Sequence, residues 1–216
     1  MPSHKIHIKI ADEVNKKLKL DRDLYIIGSI LPDLSNKIPH YKSHFKTDIN
    51  NHGFYNVDLF LSEYDIDNPV IVGYLVHLLT DSYYNNYIRN NYFLYNENHR
   101  LNGIKMKSGN YYDNPDRITE IKQDEFNMYD NYLVRTNKYK EISESNIAEK
   151  LPIIKECDYD KDYIEEYINT YNGAIKNNNN YKGKIEYNIL EQEELDNLFN
   201  GCIKYILDFL KDLKII

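Results

Sequence analysis

Pro69-Val-Ile-Val-Gly-Tyr-Leu-Val-His-Leu-Leu-Thr-Asp-Ser-Tyr-Tyr-Asn-Asn-Tyr-Ile-Arg-Asn90 is the longest strongly apolar stretch of this chain, and its reading decides the fold. Asp67 or Asn68 can cap its start, and Pro69 suits a first helical turn, where a missing N–H costs nothing. Val72, Leu75, Val76, Leu79 and Tyr83 recur at three- and four-residue spacing, which predicts a helix over 69–90 with a wide buried face. His77 and Asp81 lie one turn apart on one side of that helix. An imidazole and a carboxylate so placed can hold one metal ion between them. The plainer reading is a structural His–Asp hydrogen bond in a helical core. Either way, a carboxylate among Leu75, Val76, Leu78 and Leu79 needs a cation or hydrogen-bond donors, because desolvating it alone is costly.

Outward from this helix, the pattern is helical almost throughout. Residues 4–19 form an amphipathic stripe of Ile6, Ile10, Val14 and Leu18, flanked by His7 and Ala11. Asp21 can cap a second helix through Leu24, Ile27, Ile30 and Leu31, which Pro32 and Asp33 end. Residues 34–52, with Pro39, His40, His44 and His52, read as a polar loop, and Asn56 to Tyr64 as a helix. Residues 91–116, rich in Asn, Tyr and Gly, read as a long surface excursion. Further helices are expected from Asp116 to Val134, over 143–150 and 160–176, and from Glu191 to Leu213. Asn177 to Asn180 and the following Tyr181-Lys-Gly act as a breaker. With no sustained period-two segment, heptad or internal repeat, the expectation is an all-α, single-domain, multi-helix bundle over residues 1–216.

Composition narrows the function. A net charge of -7 in 216 residues does not favour a nonspecific grip on nucleic acid. It is compatible with an enzyme acting on phosphate esters, since a divalent metal supplies local positive charge. Cys157 and Cys202 form no ligand pattern, and a reduced chain is the simpler default. No signal-peptide core precedes His7, and no segment offers about 18 to 20 uninterrupted apolar residues. The chain therefore reads as soluble and cytoplasmic. All seven histidines fall within the first 99 residues. Ligands that share a site are often drawn from a few facing helices, so His4 or His7, Asp33, His44, His77 and Asp81 line up as candidates. Each has a blander role: His4 and His7 as boundary residues, Asp33 as a helix terminator, His44 as a loop residue. His40, His52 and His99 read as solvated.

The order and wording of four stretches resemble the zinc-dependent phospholipase C family, which shares an all-helical fold with the zinc-dependent single-strand nucleases. The stretches are His7-Ile-Lys-Ile-Ala-Asp-Glu, Gly28-Ser29-Ile30-Leu31-Pro32-Asp33, Ser43-His44-Phe45 and Gly73-Tyr-Leu-Val-His77-Leu-Leu-Thr-Asp81. The resemblance covers roughly residues 1–90. It implies that Asp33, His44, His77 and Asp81 surround one zinc and that Asp81 bridges to a second ion held by His7, with His4 in reserve. Secreted members use a mature N-terminal Trp and a later His-x-x-x-Glu pair, and this chain has no Trp and no histidine after His99. A mono- or dinuclear centre is therefore expected. Carboxylates of the stretch Lys122 to Asp130 can complete it, with Asp124 the candidate against a solvated helix face.

The function expected is a metal-dependent hydrolase of small-molecule or lipid-like phosphoesters, using a metal-activated water at a site of one or two zinc or other divalent ions. Asp33 or Asp124 would orient the water. The alternatives are a zinc amidase-type hydrolase and a non-catalytic helical protein with a structural metal and a binding role. The His-Asp phosphohydrolases usually show an adjacent His-Asp pair, and this chain has none.

Overall fold

The structure, a computed structural model, describes residues 2–47, 54–136, 139–177 and 184–216. Among these, nine α-helices dominate, with two small antiparallel sheets. The element at the centre is α6 (Pro69–Asn91), in which every residue from Val70 to Asp81 is buried. A stretch with no polar face can only be accommodated when other elements surround it. Asn68 supplies the cap, accepting from the Val70 N–H at 2.8 Å.

Two helices from the N-terminal third enclose α6. In α1 (His4–Leu18), Ile6, Ile10 and Val14 are fully buried, and so are Ile8 and Ala11. Next, α2 (Arg22–Gly28) is capped by Asp21, which accepts from Leu24 N–H at 3.2 Å. The helix expected through Leu31 breaks after Gly28 and resumes as α3 (Leu31–Leu34). Pro32 explains the break, because it lacks the N–H that a continuous helix would give to the Gly28 carbonyl. Asp33 N–H bonds to the Ile30 carbonyl instead, at 3.1 Å. The Ser29 carbonyl is thereby left out of the helical ladder.

α2 and α6 touch backbone to backbone. A Cβ built on Gly28 would lie 2.2 Å from the Val70 carbonyl oxygen, and one on Gly73 would lie 2.2 Å from that of Tyr25. No L side chain fits at either position without moving a helix. The contact presses the α2–α3 break against the face of α6 that carries Gly73 and, one turn on, His77.

The segment after α3 is more structured than a loop. It contains α4 (His40–Ser43) and β1 (Lys46–Thr47), which pairs with β2 (Phe54–Tyr55) in the register Lys46↔Tyr55. Phe45, at φ 49°, is buried edge-on to Phe60, Tyr64 and Tyr74, and it anchors the chain beside His44. His52 and the breaker at 178–183 lie outside the described residues. α5 (Val57–Glu63) follows, capped by Asn56, which accepts from Leu59 N–H.

The excursion expected over 91–116 is instead a three-stranded antiparallel sheet: β3 (Phe93–Tyr95), β4 (Leu101–Met106) and β5 (Gly109–Tyr112). A register shift between Leu94 and Tyr95 interrupts the alternation that a sequence reading relies on. Burial of Leu101 and Ile104 docks the sheet on the core. The chain is thus mostly helical but not purely so. α7 (Pro115–Thr136) starts under an Asn114 cap. The helix expected over 143–150 is a single 3-10 turn, Ile147–Lys150, after Asn146 at φ 54°. α8 (Lys161–Asn177) and α9 (Gln192–Asp212) complete a continuous apolar core that runs from α1 to α9. None of the described helices is long and apolar enough to cross a membrane.

Gly73→Ala should cost about 2 kcal/mol or more, because the overlap is with backbone that cannot rotate away. The urea midpoint should fall with an unchanged slope. An equal midpoint would mean that the α2–α6 contact is looser than described.

Candidate functional site

The Gly28–Gly73 contact delivers the free Ser29 carbonyl to His77 Nδ1 at 2.8 Å. A carbonyl only accepts, so Nδ1 carries the proton and Nε2 presents a lone pair. His44 is set in the same way, with Nδ1 2.9 Å from the His40 carbonyl. The two Nε2 atoms then face each other at 3.2 Å. Tyr74 donates its hydroxyl hydrogen to the Ser43 carbonyl, tying α4 to α6.

Two carboxylates close on this pair. Asp33 Oδ1 lies 3.0 Å from His44 Nε2 and 4.0 Å from His77 Nε2. Asp81 Oδ2 lies 3.7 Å from each of the two imidazoles. His7 comes from α1, with its ring stacked on His77 at 4.0 Å and its Nε2 3.3 Å from Asp81 Oδ1. The five residues singled out on the sequence, His7, Asp33, His44, His77 and Asp81, therefore meet at one point. The side chains of His7, His44, His77 and Asp81 are fully buried, and that of Asp33 is 8% exposed.

Burial raises the pKa of Asp33, but the imidazoles of His77 and His44 outweigh it and hold the group well below the usual carboxylate range. Asp81 is likewise held low against its burial, by His7 and His77. Burial pulls His77 down to about 3, so its ring is neutral near pH 7. Both Asp81 oxygens and both His7 nitrogens are buried without a hydrogen-bond partner. An ionised carboxylate in that condition is worth several kcal/mol of destabilisation unless a cation joins it. Two ligands about 2.0 Å from one tetrahedral zinc sit roughly 3.3 Å apart, and these donor atoms are separated by 3.0 to 4.0 Å. The donor set thus fits a metal ion: imidazole nitrogens converge on carboxylate oxygens, and neither Asp81 oxygen has a donor in good hydrogen-bond geometry.

His4 reaches the same centre from its solvent side, with Nε2 3.5 Å from Asp33 Oδ2 and its side chain 35% exposed. His40, read as solvated, stacks on His44 at 3.7 Å, and its ligand atom lies within 4.8 Å of those of Asp33 and His44. A signal for it existed, since His40 and His44 are four residues apart, like His77 and Asp81. His99 is exposed at a hairpin turn, at φ 55°.

Asp124 does not join the group. It is exposed on α7, whereas Gln123, Asn127 and Asp130 share the face that meets the site. The acidic run divides by helical phase: Glu125 points inward and accepts from the backbone N–H groups of Asn188, Ile189 and Leu190 at 2.8–3.0 Å. Asp130, buried near Lys5 (4.0 Å), is the α7 carboxylate nearest the chemistry. Lys122 is 6% exposed and donates to Asn85 Oδ1 at 3.3 Å; Asn85 in turn donates to the Tyr55 hydroxyl. The sequence reading singled out neither Lys122 nor Tyr55. A buried lysine is visible in sequence only through helical phase, and Tyr55 arrives through strand pairing.

Beside the centre opens a cavity of about 630 Å3. His4, Asp33 and His40 line its inner end, Asp130 and Asn127 one side, and Tyr167 and Tyr171 of α8 the other. A scan against protein-family models and searches of curated proteins and of solved structures find no match to this chain.

Asp81→Asn should abolish the zinc-dependent rise in melting temperature that binding to the folded state produces. Asp124→Asn should leave that rise intact, and differential scanning calorimetry with and without zinc checks both. Asp130, raised to about 6 by burial, binds its proton more tightly folded than unfolded. Its contribution to stability therefore falls as the pH rises from about 4 to 6, by about 3 kcal/mol. Asp130→Asn should stabilise the protein at pH 7 relative to pH 4.5, as read from urea midpoints at the two values.

Proposed function

We propose that this chain is a metal-dependent hydrolase, acting on phosphoesters at a zinc centre held by Asp33, His44, His77 and Asp81. The observation that carries this reading is the Asp81 carboxylate: fully buried, with neither oxygen in good hydrogen-bond geometry, and faced by imidazole nitrogens. His7 and Asp81 are the residues that would hold a second ion. When bound, zinc supplies a polarising charge for a phosphoryl oxygen and lowers the pKa of a water molecule.

The chain's own residues account for the remaining tasks. Ser29 and His40 carbonyls fix the tautomers of His77 and His44, so the nitrogens point at the centre without rearrangement. Asp33, at the border between centre and cavity, can orient an incoming water. The cavity has the volume of a small-molecule site. Its tyrosines offer apolar faces to an alcohol or lipid-like leaving group, and Asp130, which also lines it, can act as a proton donor in mildly acidic solution. Four protein ligands sealed from solvent would favour a structural ion, and what favours catalysis is that one of the four, Asp33, lines the cavity.

The test is hydrolysis of p-nitrophenyl phosphate and bis-p-nitrophenyl phosphate by zinc-loaded protein. Activity should disappear with chelator, return with zinc and fall to background in His77→Ala. Protein that holds zinc and hydrolyses neither ester would point to the structural role.

A further inference from the structure

Asp33 does more than close the inner centre. Its two oxygens meet different imidazoles: Oδ1 is 3.0 Å from the buried His44 Nε2, whereas Oδ2 is 3.5 Å from His4 Nε2. His40 lies beside them, with its ligand atom within 4.8 Å of that of Asp33. His4, Asp33 and His40 all line the cavity. None of the four stretches that carry the family resemblance includes His4 or His40.

We propose that His4, His40 and Asp33 Oδ2 form an additional cation site at the cavity wall, joined to the inner centre through the Asp33 carboxylate. The proposal rests on the reading of that inner centre as a metal site. Two imidazoles and one carboxylate are a ligand set that zinc takes in catalytic sites, where the remaining position is left to water or substrate. The 3.5 Å between His4 Nε2 and Asp33 Oδ2 is close to the roughly 3.3 Å expected of two ligands on one tetrahedral ion. His44 cannot serve both sites through one nitrogen. Its Nε2 faces His77 at 3.2 Å, and its Nδ1 is committed to the His40 carbonyl at 2.9 Å. The outer set is therefore His4, His40 and Asp33.

The two sites differ in access. The inner ligands have side chains 0–8% exposed, while His4 is 35% exposed. An ion at the outer position meets solvent and the cavity contents directly, so it binds more weakly and exchanges faster. It is also the ion that a phosphoester entering the cavity meets first. The chain would in this way replace a ligand group that the secreted phospholipases draw from their second half.

Zinc titration of chelator-stripped protein, by calorimetry with elemental analysis of dialysed samples, tests the proposal. Three proteins are compared: wild type, the double variant His4→Ala/His40→Ala, and His77→Ala. The double variant should bind one zinc fewer per chain than wild type and lose the weaker phase, keeping the tight one. His77→Ala should lose the tight phase. Equal stoichiometry and affinities in wild type and double variant would overturn the outer site while leaving the inner one standing. Loss of every ion in the double variant would also overturn it, because His4 and His40 would then belong to the inner centre. No zinc in wild type would overturn both readings. Far-UV circular dichroism shows whether the variants keep their helices, which the position of His4 and His40 at the rim predicts.

Discussion

The backbone contact between α2 and α6 at Gly28 and Gly73 is the constraint on which the site depends. Absence of two Cβ atoms lets the helices meet at a distance no other residue pair allows. Two consequences follow from that one approach. The Ser29 carbonyl, released from the helical ladder by Pro32, reaches His77 and sets its tautomer. Asp33, two positions into the helix that resumes at Leu31, is carried to the same place. His77 and Asp81 need only the helical turn between them to complete the arrangement. A wider helix spacing would leave the same residues in the sequence and no centre in space.

Placing two carboxylates and three imidazoles in the interior is costly, and the fold offsets it in stages. The tightly packed rings of Phe45, Phe60 and Tyr74 brace α4 and α6 around the cluster. Carbonyls satisfy the outward nitrogens of His44 and His77. Within the cluster, Asp81 and His7 remain without hydrogen-bond partners, a residual demand that a cation could meet. Stability given up at one position in this way is a common mark of sites built for binding. The gradient from the sealed His7–Asp81 pair to the open His4 gives the cluster an inside and an outside, with Asp33 spanning the two.

The phase of α7 shows how the second half contributes. Its acidic run faces three ways: Asp124 to solvent, Glu125 into a backbone-holding role, and Asp130 toward the cavity. All three are acidic, and only the rotation of the helix against its neighbours separates them. Lys122, on the same helix, is buried against Asn85 and places a positive charge close to a region rich in carboxylates.

By itself the sequence determined the helices and the local pairs. Caps at Asp21 and Asn68, the apolar periodicity of α1, α6, α7 and α9, and the one-turn spacing of His77 and Asp81 are all properties of neighbours within four residues. Such properties are encoded where they act, and they are legible for that reason. Tertiary structure alone decided that residues 93–112 pair as strands, because their interrupted alternation makes sense only once Leu101 and Ile104 find the core. It also decided that His40 joins the cluster while Asp124 stays outside, and that His4 and His7 take different carboxylates rather than compete for one. These outcomes depend on distances between segments tens of residues apart. No local pattern carries that information, because it is set by which surfaces can pack at close range, here by two glycines facing each other.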